Sequence, residues 1–566
     1  MTLSILPSAR YAELSSAPEG VGADLSQGGR VVAPRGWWRR LRVVLRTIED
    51  GTGATFSLVE PSADASGDAP IESPIDASSI HAVESLMRFE VDASMGDEGY
   101  SLTVGGGVVS IVAGTSAGAA YALQSLRQLL PAESFRAAAS ADVEFTVPAV
   151  SIVDSPALAW RGVMIDVSRH FLGKTWLLRV VDLMAIHKLN VLHLHLTDDQ
   201  GWRLEIDAFP RLTEVGAYRR ETLVGYRFSD NFDGRPHGGF LSKADAREIV
   251  QYADDRGITV IPEIDMPGHL LAAVASYPEW GVTGVQTEVL TRWGRSHNVL
   301  NLEESTVQAM FTVLDEVMKL FPSEYIHIGG DESPRTEWIE SPRIQELIRE
   351  RGLADEDALQ RWFTARLADH LRSRGRRLLG WDEILGGGLP TDVTVMAWRD
   401  EVFANEAMEL GHDVVVATQQ QLYFDFKQSD DPSEPLGPRV FSFYMTDLRE
   451  VYNYAWLSDA DPELVARHVK GAQVQLWTEF VPTTEHAEYL LFPRTCAFAE
   501  RAWSGAPDDF ETFLERLTPH LRRLHAMGVG YRPLAGPTQG QAGAWLGIDA
   551  DAPPRLMLSS NDSADN

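Results

Sequence analysis

With one cysteine in 566 residues, the chain has no partner for an intrachain disulfide, and Cys496, set in the apolar run LLFPRTCAFAERAW, reads as a buried, inert thiol. Basic residues are also scarce: 50 Lys and Arg stand against 81 Asp and Glu, a formal charge of −31. A surface of that sign repels phosphate backbones and anionic lipid, which argues against nucleic-acid and membrane partners. Long apolar runs are missing too. No window of 18 apolar residues occurs, so no membrane span is expected. The start, MTLSILPSARYAEL, lacks a basic stretch followed by a long apolar run; no signal peptide is expected, and the expected location is the cytoplasm. No GxxxxGK[ST] loop or dinucleotide fingerprint follows a strand, so no cofactor is expected.

What remains is a globular composition, 44% apolar, with 15 Trp. The length suits a barrel of about 250 residues or more with a smaller partner domain. Residues 1–150 read as a mixed α/β accessory domain. Alternating apolar stretches occur at LRVVLRT (41–47), SLTV (101–104) and VVSIVAG (108–114), and a helical run, SAGAAYALQSLRQLL, follows. The Asp-, Ser-, Ala- and Pro-rich stretch 61–79 reads as a surface loop. Over 151–505 short apolar runs alternate with helical ones: RGVMIDVS, NVLHLHLTDD, ITVIPEIDMPGH, YIHIGGDE, RLLGWDEI, TVMAWR, DVVVATQQQLYFD and AQVQLWTEF. Eight such units predict a closed, parallel (β/α)8 TIM barrel. Residues 506–566 read as a long helix, DDFETFLERLTPHLRRLHAM, and an acidic tail from about 549.

Polarity concentrates where these runs end: Asp166, Asp198, His269, Asp331 with Glu332, Asp382 with Glu383, Trp398, Tyr423 with Asp425, and Trp477 with Glu479. The C-terminal strand ends of such a barrel converge on one mouth, where active sites sit. Trp381, Trp398, Trp477 and Tyr423 beside carboxylates make a wall suited to the C–H faces and hydroxyl edges of a sugar. Glycoside hydrolysis usually takes two carboxyls on opposite sides of the bond. Here the prominent pair, in HIGGDE, is adjacent in sequence, and neighbouring side chains tend to point different ways. One can serve the leaving oxygen while the other serves the substituent at C2, an arrangement in which the substrate supplies the nucleophile.

The segments WRGVMIDVSRHF, NVLHLHLTDDQGWR, IPEIDMPGH, YIHIGGDE, LGWDEI, YFD and LWTE, in this order, resemble the family-20 glycoside hydrolases, the β-N-acetylhexosaminidases, over roughly residues 150–505. The N-terminal region is similar to the small domain that commonly precedes the family's barrel. The resemblance implies an exo-acting, retaining enzyme that removes a terminal N-acetylhexosamine from a small oligosaccharide or glycan. In it the substrate's acetamido oxygen attacks C1 and forms an oxazolinium-type intermediate. It further implies that Glu332 is the acid/base, that Asp331 accepts the acetamido N–H, and that Tyr423 donates to the acetamido oxygen. Asp198 and His269 match a dyad that tunes the acid, with His195 a weaker match. Trp381, Trp398 and Trp477 match the pocket walls; Arg161 matches the residue gripping the 3- and 4-hydroxyls, with Glu479 its partner. Asp425 joins the substrate-binding set.

The chain departs from many bacterial relatives at GGFLS (238–242), where an aromatic is common. Arg235 and His237 lie on a loop that can approach the leaving group, and Trp293 either lines a leaving-group subsite or pins its loop. His193 and His195 share a strand face and can be drawn as metal ligands, but their motif favours hydrogen bonding, so no metal is expected. Two other readings stay open: a barrel glycosidase with a protein carboxylate as nucleophile, and a glycan-binding protein with a dead site.

Overall fold

In the computed structural model, which describes residues 3–14, 22–61, 86–140, 142–386, 388–438, 445–505 and 508–537, the N-terminal region forms one mixed seven-stranded sheet. Its strands are β1 (Tyr11–Leu14), β2 (Gly28–Val32), β3 (Thr55–Val59), β4 (Leu86–Val91), β5 (Tyr100–Gly105), β6 (Val108–Ala113) and β7 (Val150–Asp154), in the spatial order β1-β7-β5-β6-β4-β2-β3. SLTV and VVSIVAG fall on β5 and β6, an antiparallel pair joined by Gly106 and Gly107. Both glycines have positive φ, 59° and 79°, as a two-residue hairpin turn of matching twist requires. The helical run forms α2 (Ser116–Leu129), capped by the Thr115 side chain.

LRVVLRT is not a strand. It lies inside α1 (Trp38–Thr52), where Leu41, Val44, Leu45 and Ile48 are buried. Their spacing of three, one and three residues lines one face of a helix, and over seven residues that stripe also passes for alternation. The 61–79 loop, from residue 62 onward, and the acidic tail lie outside the described residues.

Eight parallel strands close the barrel in chain order: β8 (Trp160–Asp166), β9 (Val191–His195), β10 (Thr259–Glu263), β11 (Tyr325–His327), β12 (Arg377–Trp381), β13 (Thr394–Ala397), β14 (Asp413–Val416) and β15 (Val469–Leu476), the last pairing with β8. Each coincides with one of the eight apolar runs. Helices α3 (Lys174–Ile186), α4 (Lys243–Asp254), α5 (Glu304–Leu320) and α6 (Glu356–Arg372) fall on the helical runs between the first strands. After the barrel come α7 (Arg494–Ser504) and α8 (Phe510–Ala526), α8 on the predicted long helix. No helix among the described residues is long and apolar enough to cross a membrane.

The sheet docks at the end of the barrel opposite the mouth, and this corrects the expectation for Arg161. That side chain sits near the start of β8, wholly buried, with its guanidinium on Glu98 of the sheet domain (2.7 Å) and on the carbonyls of Leu158 and Lys188. Beside it Lys188 pairs with Asp154 of β7 at 2.8 Å, and the Trp503 indole donates to the same carboxylate. Arg161 ties the sheet to the barrel and has no route to a sugar at the mouth.

Candidate active site

At the mouth, buried ionic side chains form a connected line. Glu263, the last residue of β10, lies 2.6 Å from His195 Nδ1 and accepts the Trp381 indole N–H at 2.8 Å. His195 Nε2 meets Asp198 Oδ2 at 2.9 Å, and Asp198 Oδ1 meets His269 Nδ1 at 3.1 Å. The other nitrogen of His269 faces both adjacent carboxylates, Glu332 at 3.6 Å and Asp331 at 3.9 Å. Asp198, His269, Asp331 and Glu332 are thus brought together, and His195 extends the line inward. His193 shares the face of His195 and lies 3.1 Å from Glu263, while its Nδ1 accepts from Gln473.

The charges along this line follow from burial and neighbours. Burial pushes the Asp198 carboxyl up, but the Arg169 and His269 charges outweigh it and hold Asp198 well below its ordinary value. Burial works against charge on His269, yet Asp198, Glu332 and Asp331 raise it well above an ordinary histidine. That cation acts on the two carboxyls unequally. For Glu332, burial is outweighed by His269, Arg295 and Arg169, so its value falls. For Asp331, burial together with the Glu263 and Glu332 charges prevails over His269, so its value rises.

The turn that presents the pair depends on Gly329 and Gly330, with φ of 64° and 95°. A Cβ on Gly329 would come within 1.8 Å of Asp265 Oδ1, the atom that accepts the Gly330 N–H at 3.0 Å. Glu332 itself has φ of 44° and His269 has φ of 50°. Non-glycine residues hold such angles at a cost of about 1–3 kcal/mol each, repeatedly at functional sites. The Glu332 N–H is fixed by Glu383 at 3.1 Å. Asp382 accepts from the Trp398 and Arg399 N–H groups and from the Arg399 guanidinium, so it anchors the turn carrying Trp398.

Trp381, Trp477, Tyr423 and Trp398 form a continuous aromatic wall. Successive ring centroids lie 6.0, 6.1 and 6.1 Å apart, and Trp398 is nearly parallel to Tyr423. Burial raises the Tyr423 hydroxyl well above its ordinary value, keeping it a hydrogen-bond donor. Asp425 is buried beside this wall and raised well above the usual carboxylate range by burial and by Glu479.

The arginine of WRGVMIDVSRHF that reaches the mouth is Arg169, three residues past the end of β8. Its guanidinium meets Asp198 at 2.7 Å, Asp166 at 3.2 Å, Gln200 at 3.1 Å and Glu479 at 3.9 Å, and it lies 5.0 Å from the centroid of the Trp477 ring. The segment WRGVMIDVSRHF contains both arginines. Their positions relative to the strand distinguish them, since Arg161 precedes the apolar run and Arg169 follows it. Sequence reasoning also passed over Glu263 and Asp265, which follow apolar residues in VIPEID without a distinguishing pattern.

Trp293 pins its loop: it is buried against His170 and Phe480 with Arg219 over its ring. His237 accepts the Phe171 N–H at 3.0 Å and packs on His170, so it supports the loop from within. Arg235 is exposed.

The model of glycosyl hydrolase family 20, catalytic domain, matches residues 158–506, and that of the family's domain 2 matches residues 23–155. The chain belongs to glycosyl hydrolase family 20. A β-hexosaminidase of Porphyromonas gingivalis is 41% identical over 438 residues, covering 77% of this chain and 54% of the relative. One of Vibrio furnissii is 34% identical, covering 71% of this chain and 65% of the relative. The chain therefore spans about half to two thirds of these relatives' lengths. Among solved structures, the exo-β-N-acetylglucosaminidase of Vibrio harveyi in complex with N-acetylglucosamine superposes with a TM-score of 0.79 at 31% identity, covering 94% of this chain and 78% of that one.

Proposed function

We propose that the protein is an exo-acting, retaining β-N-acetylhexosaminidase that removes terminal β-linked GlcNAc or GalNAc from small oligosaccharides or glycans, with the sugar's own acetamido group as nucleophile. One observation carries this reading. Asp331 Oδ1 is buried without a hydrogen-bond partner among the described residues, beside a Tyr423 hydroxyl that burial keeps protonated. A buried acceptor and a donor next to an aromatic wall are what a secondary amide requires, because an unpaired buried polar group costs about 1–3 kcal/mol.

In this reading the acetamido oxygen attacks C1 as the C1–O bond to the leaving group breaks, and Glu332 protonates the departing oxygen. Asp331 accepts the acetamido N–H and balances the positive charge growing on the amide, while Tyr423 donates to its oxygen. Glu332 then takes a proton from water, which attacks C1 and restores the acetamide. Two inversions give net retention. Arg169, with Glu479, is the cation available to grip hydroxyls at the blind end, with Asp425 alongside.

Burial raises Asp331, while the His269, Arg295 and Arg169 charges lower Glu332. Bound substrate works against both shifts: the acetamido N–H stabilises ionised Asp331, and the leaving group shields Glu332 from water, which favours the protonated acid.

The test compares p-nitrophenyl β-GlcNAc with the matching β-glucoside, with a thiazoline analogue as inhibitor. We expect turnover of the first alone, inhibited by the thiazoline. Glu332→Gln is expected to lower kcat by about 10²–10⁴-fold with binding largely kept. Equal turnover of both glycosides without thiazoline inhibition would establish a protein nucleophile instead, and near-normal turnover by Glu332→Gln would remove it as the acid.

A further inference from the structure

A cavity of about 470 Å³ opens beside Glu332, and none of Trp381, Trp398, Tyr423 and Trp477 lines it. Three consecutive loops at the barrel mouth each contribute an arginine to it: Arg227 after β9, Arg295 after β10 and Arg335 after β11, with His297 next to them. This is unexpected in a chain with 81 acidic and 50 basic residues. The arginines are not neutralised alike. Arg335 pairs with Asp357 at 2.9 Å and donates to the Ser333 carbonyl. Arg295 Nη1 pairs with a single carboxylate among the described residues, Glu332 at 3.4 Å. Arg227 lies over the exposed Phe228 ring and has no carboxylate within 4.0 Å among the described residues. Of the two carboxyls in the cavity wall, Glu383 is pushed up to about 8 by burial and by the Asp331 and Asp382 charges, so at neutral pH it is mostly protonated and cancels little of this positive charge.

Resting on the proposed hexosaminidase reading, we infer that this cavity is a subsite for an anionic leaving sugar, one bearing a carboxylate or a sulfate, held by Arg227, Arg295 and Arg335. The placement follows from the chemistry. Glu332 protonates the departing oxygen, so the residue attached to that oxygen lies on the Glu332 side, where the cavity is. Guanidinium groups match planar carboxylates and sulfates with paired N–H donors. Binding there also reaches the acid. An anion that draws Arg295 away from Glu332 removes one of the cations holding that carboxyl ionised, which favours the protonated form needed for bond cleavage.

The experiment measures kcat/KM on disaccharides in which GlcNAc is β1,3-linked to glucuronate, to 6-sulfoglucose or to glucose, with p-nitrophenyl β-GlcNAc as reference. The wild-type protein is expected to prefer at least one charged disaccharide over the glucose one by about tenfold or more, as one or two charge-assisted hydrogen bonds provide. The better charged arm identifies the carboxylate or the sulfate as the group recognised. The preference is expected to shrink in 0.5 M salt and to approach unity in Arg227→Ala/Arg335→Gln, while Arg227→Lys keeps part of it. Equal or poorer turnover of both charged disaccharides by the wild type, with the reference cleaved, would overturn this inference alone. A preference that survives the double substitution would overturn the assignment to these arginines. Failure to cleave the reference at all would overturn the hexosaminidase reading and this inference with it.

Discussion

Replacing Arg169 and Arg161 separately by methionine separates two arginines that share one sequence motif. Arg161 bridges Glu98 and two backbone carbonyls at the base of the barrel, its side chain fully buried and that of Glu98 19% exposed. Removing one member of such a buried pair typically costs about 3–5 kcal/mol, because the other charge is left uncompensated. Arg161→Met is therefore expected to lower thermal stability while the folded fraction keeps the wild-type kcat/KM. Arg169 lies among Asp198, Asp166 and Glu479 at the mouth. If it donates two charge-assisted hydrogen bonds to sugar hydroxyls at about 1.5–3 kcal/mol each, their loss amounts to about 3–6 kcal/mol. At about 1.4 kcal/mol per tenfold, Arg169→Met is expected to lower kcat/KM by roughly 10²–10⁴. The assay is the initial rate on p-nitrophenyl β-GlcNAc, normalised to folded protein by circular dichroism, beside a thermal melt. A loss of kcat/KM in folded Arg161→Met, or its retention in Arg169→Met, would refute the division of labour between the two ends of the barrel.

Two further outcomes follow from the charge pattern. Glu383 binds its proton more tightly in the folded protein, about 8 against an ordinary 4.5, so the folded state holds more protons than the unfolded state between these values. Stability then falls as pH rises across that window. Glu383→Gln should flatten the fall, and unchanged pH dependence of the melting temperature between pH 5 and 8 would show that this carboxyl is not perturbed. His269 holds down both Asp331 and Glu332. In His269→Gln the nearest opposing charge is lost and only the more weakly acting Arg295 and Arg169 still oppose the burial of Glu332, so the alkaline limb of the kcat/KM profile moves to higher pH; a limb that stays in place or moves down contradicts the charge on His269.

Much of this architecture is legible from the chain because buried parallel strands are continuous apolar runs and the mouth is where those runs turn polar. All eight strands, and the meeting of His269 with Asp198, Asp331 and Glu332, follow from that pattern. Two kinds of feature do not. Where a motif carries the same residue type at both ends, as with Arg161 and Arg169, residue type says nothing of which end of the barrel is meant; only the direction of the strand does. Residues on long loops, such as Arg227 and Arg295, have no periodicity to fix their direction, so their convergence beside Glu332 emerges only from the folded loops. A seven-residue window such as LRVVLRT holds too little of a 3.6-residue period to distinguish the α1 helix from alternation.

Attack by the amide oxygen is tested most directly by varying that oxygen alone. In a series of p-nitrophenyl β-glucosaminides carrying acetyl, fluoroacetyl, difluoroacetyl and trifluoroacetyl groups, each fluorine drains electron density from the carbonyl while changing size little. The account predicts that kcat/KM falls steeply and steadily along the series. A flat series would mean that a group of the protein attacks C1, and the roles given to Asp331 and Tyr423 would go with it.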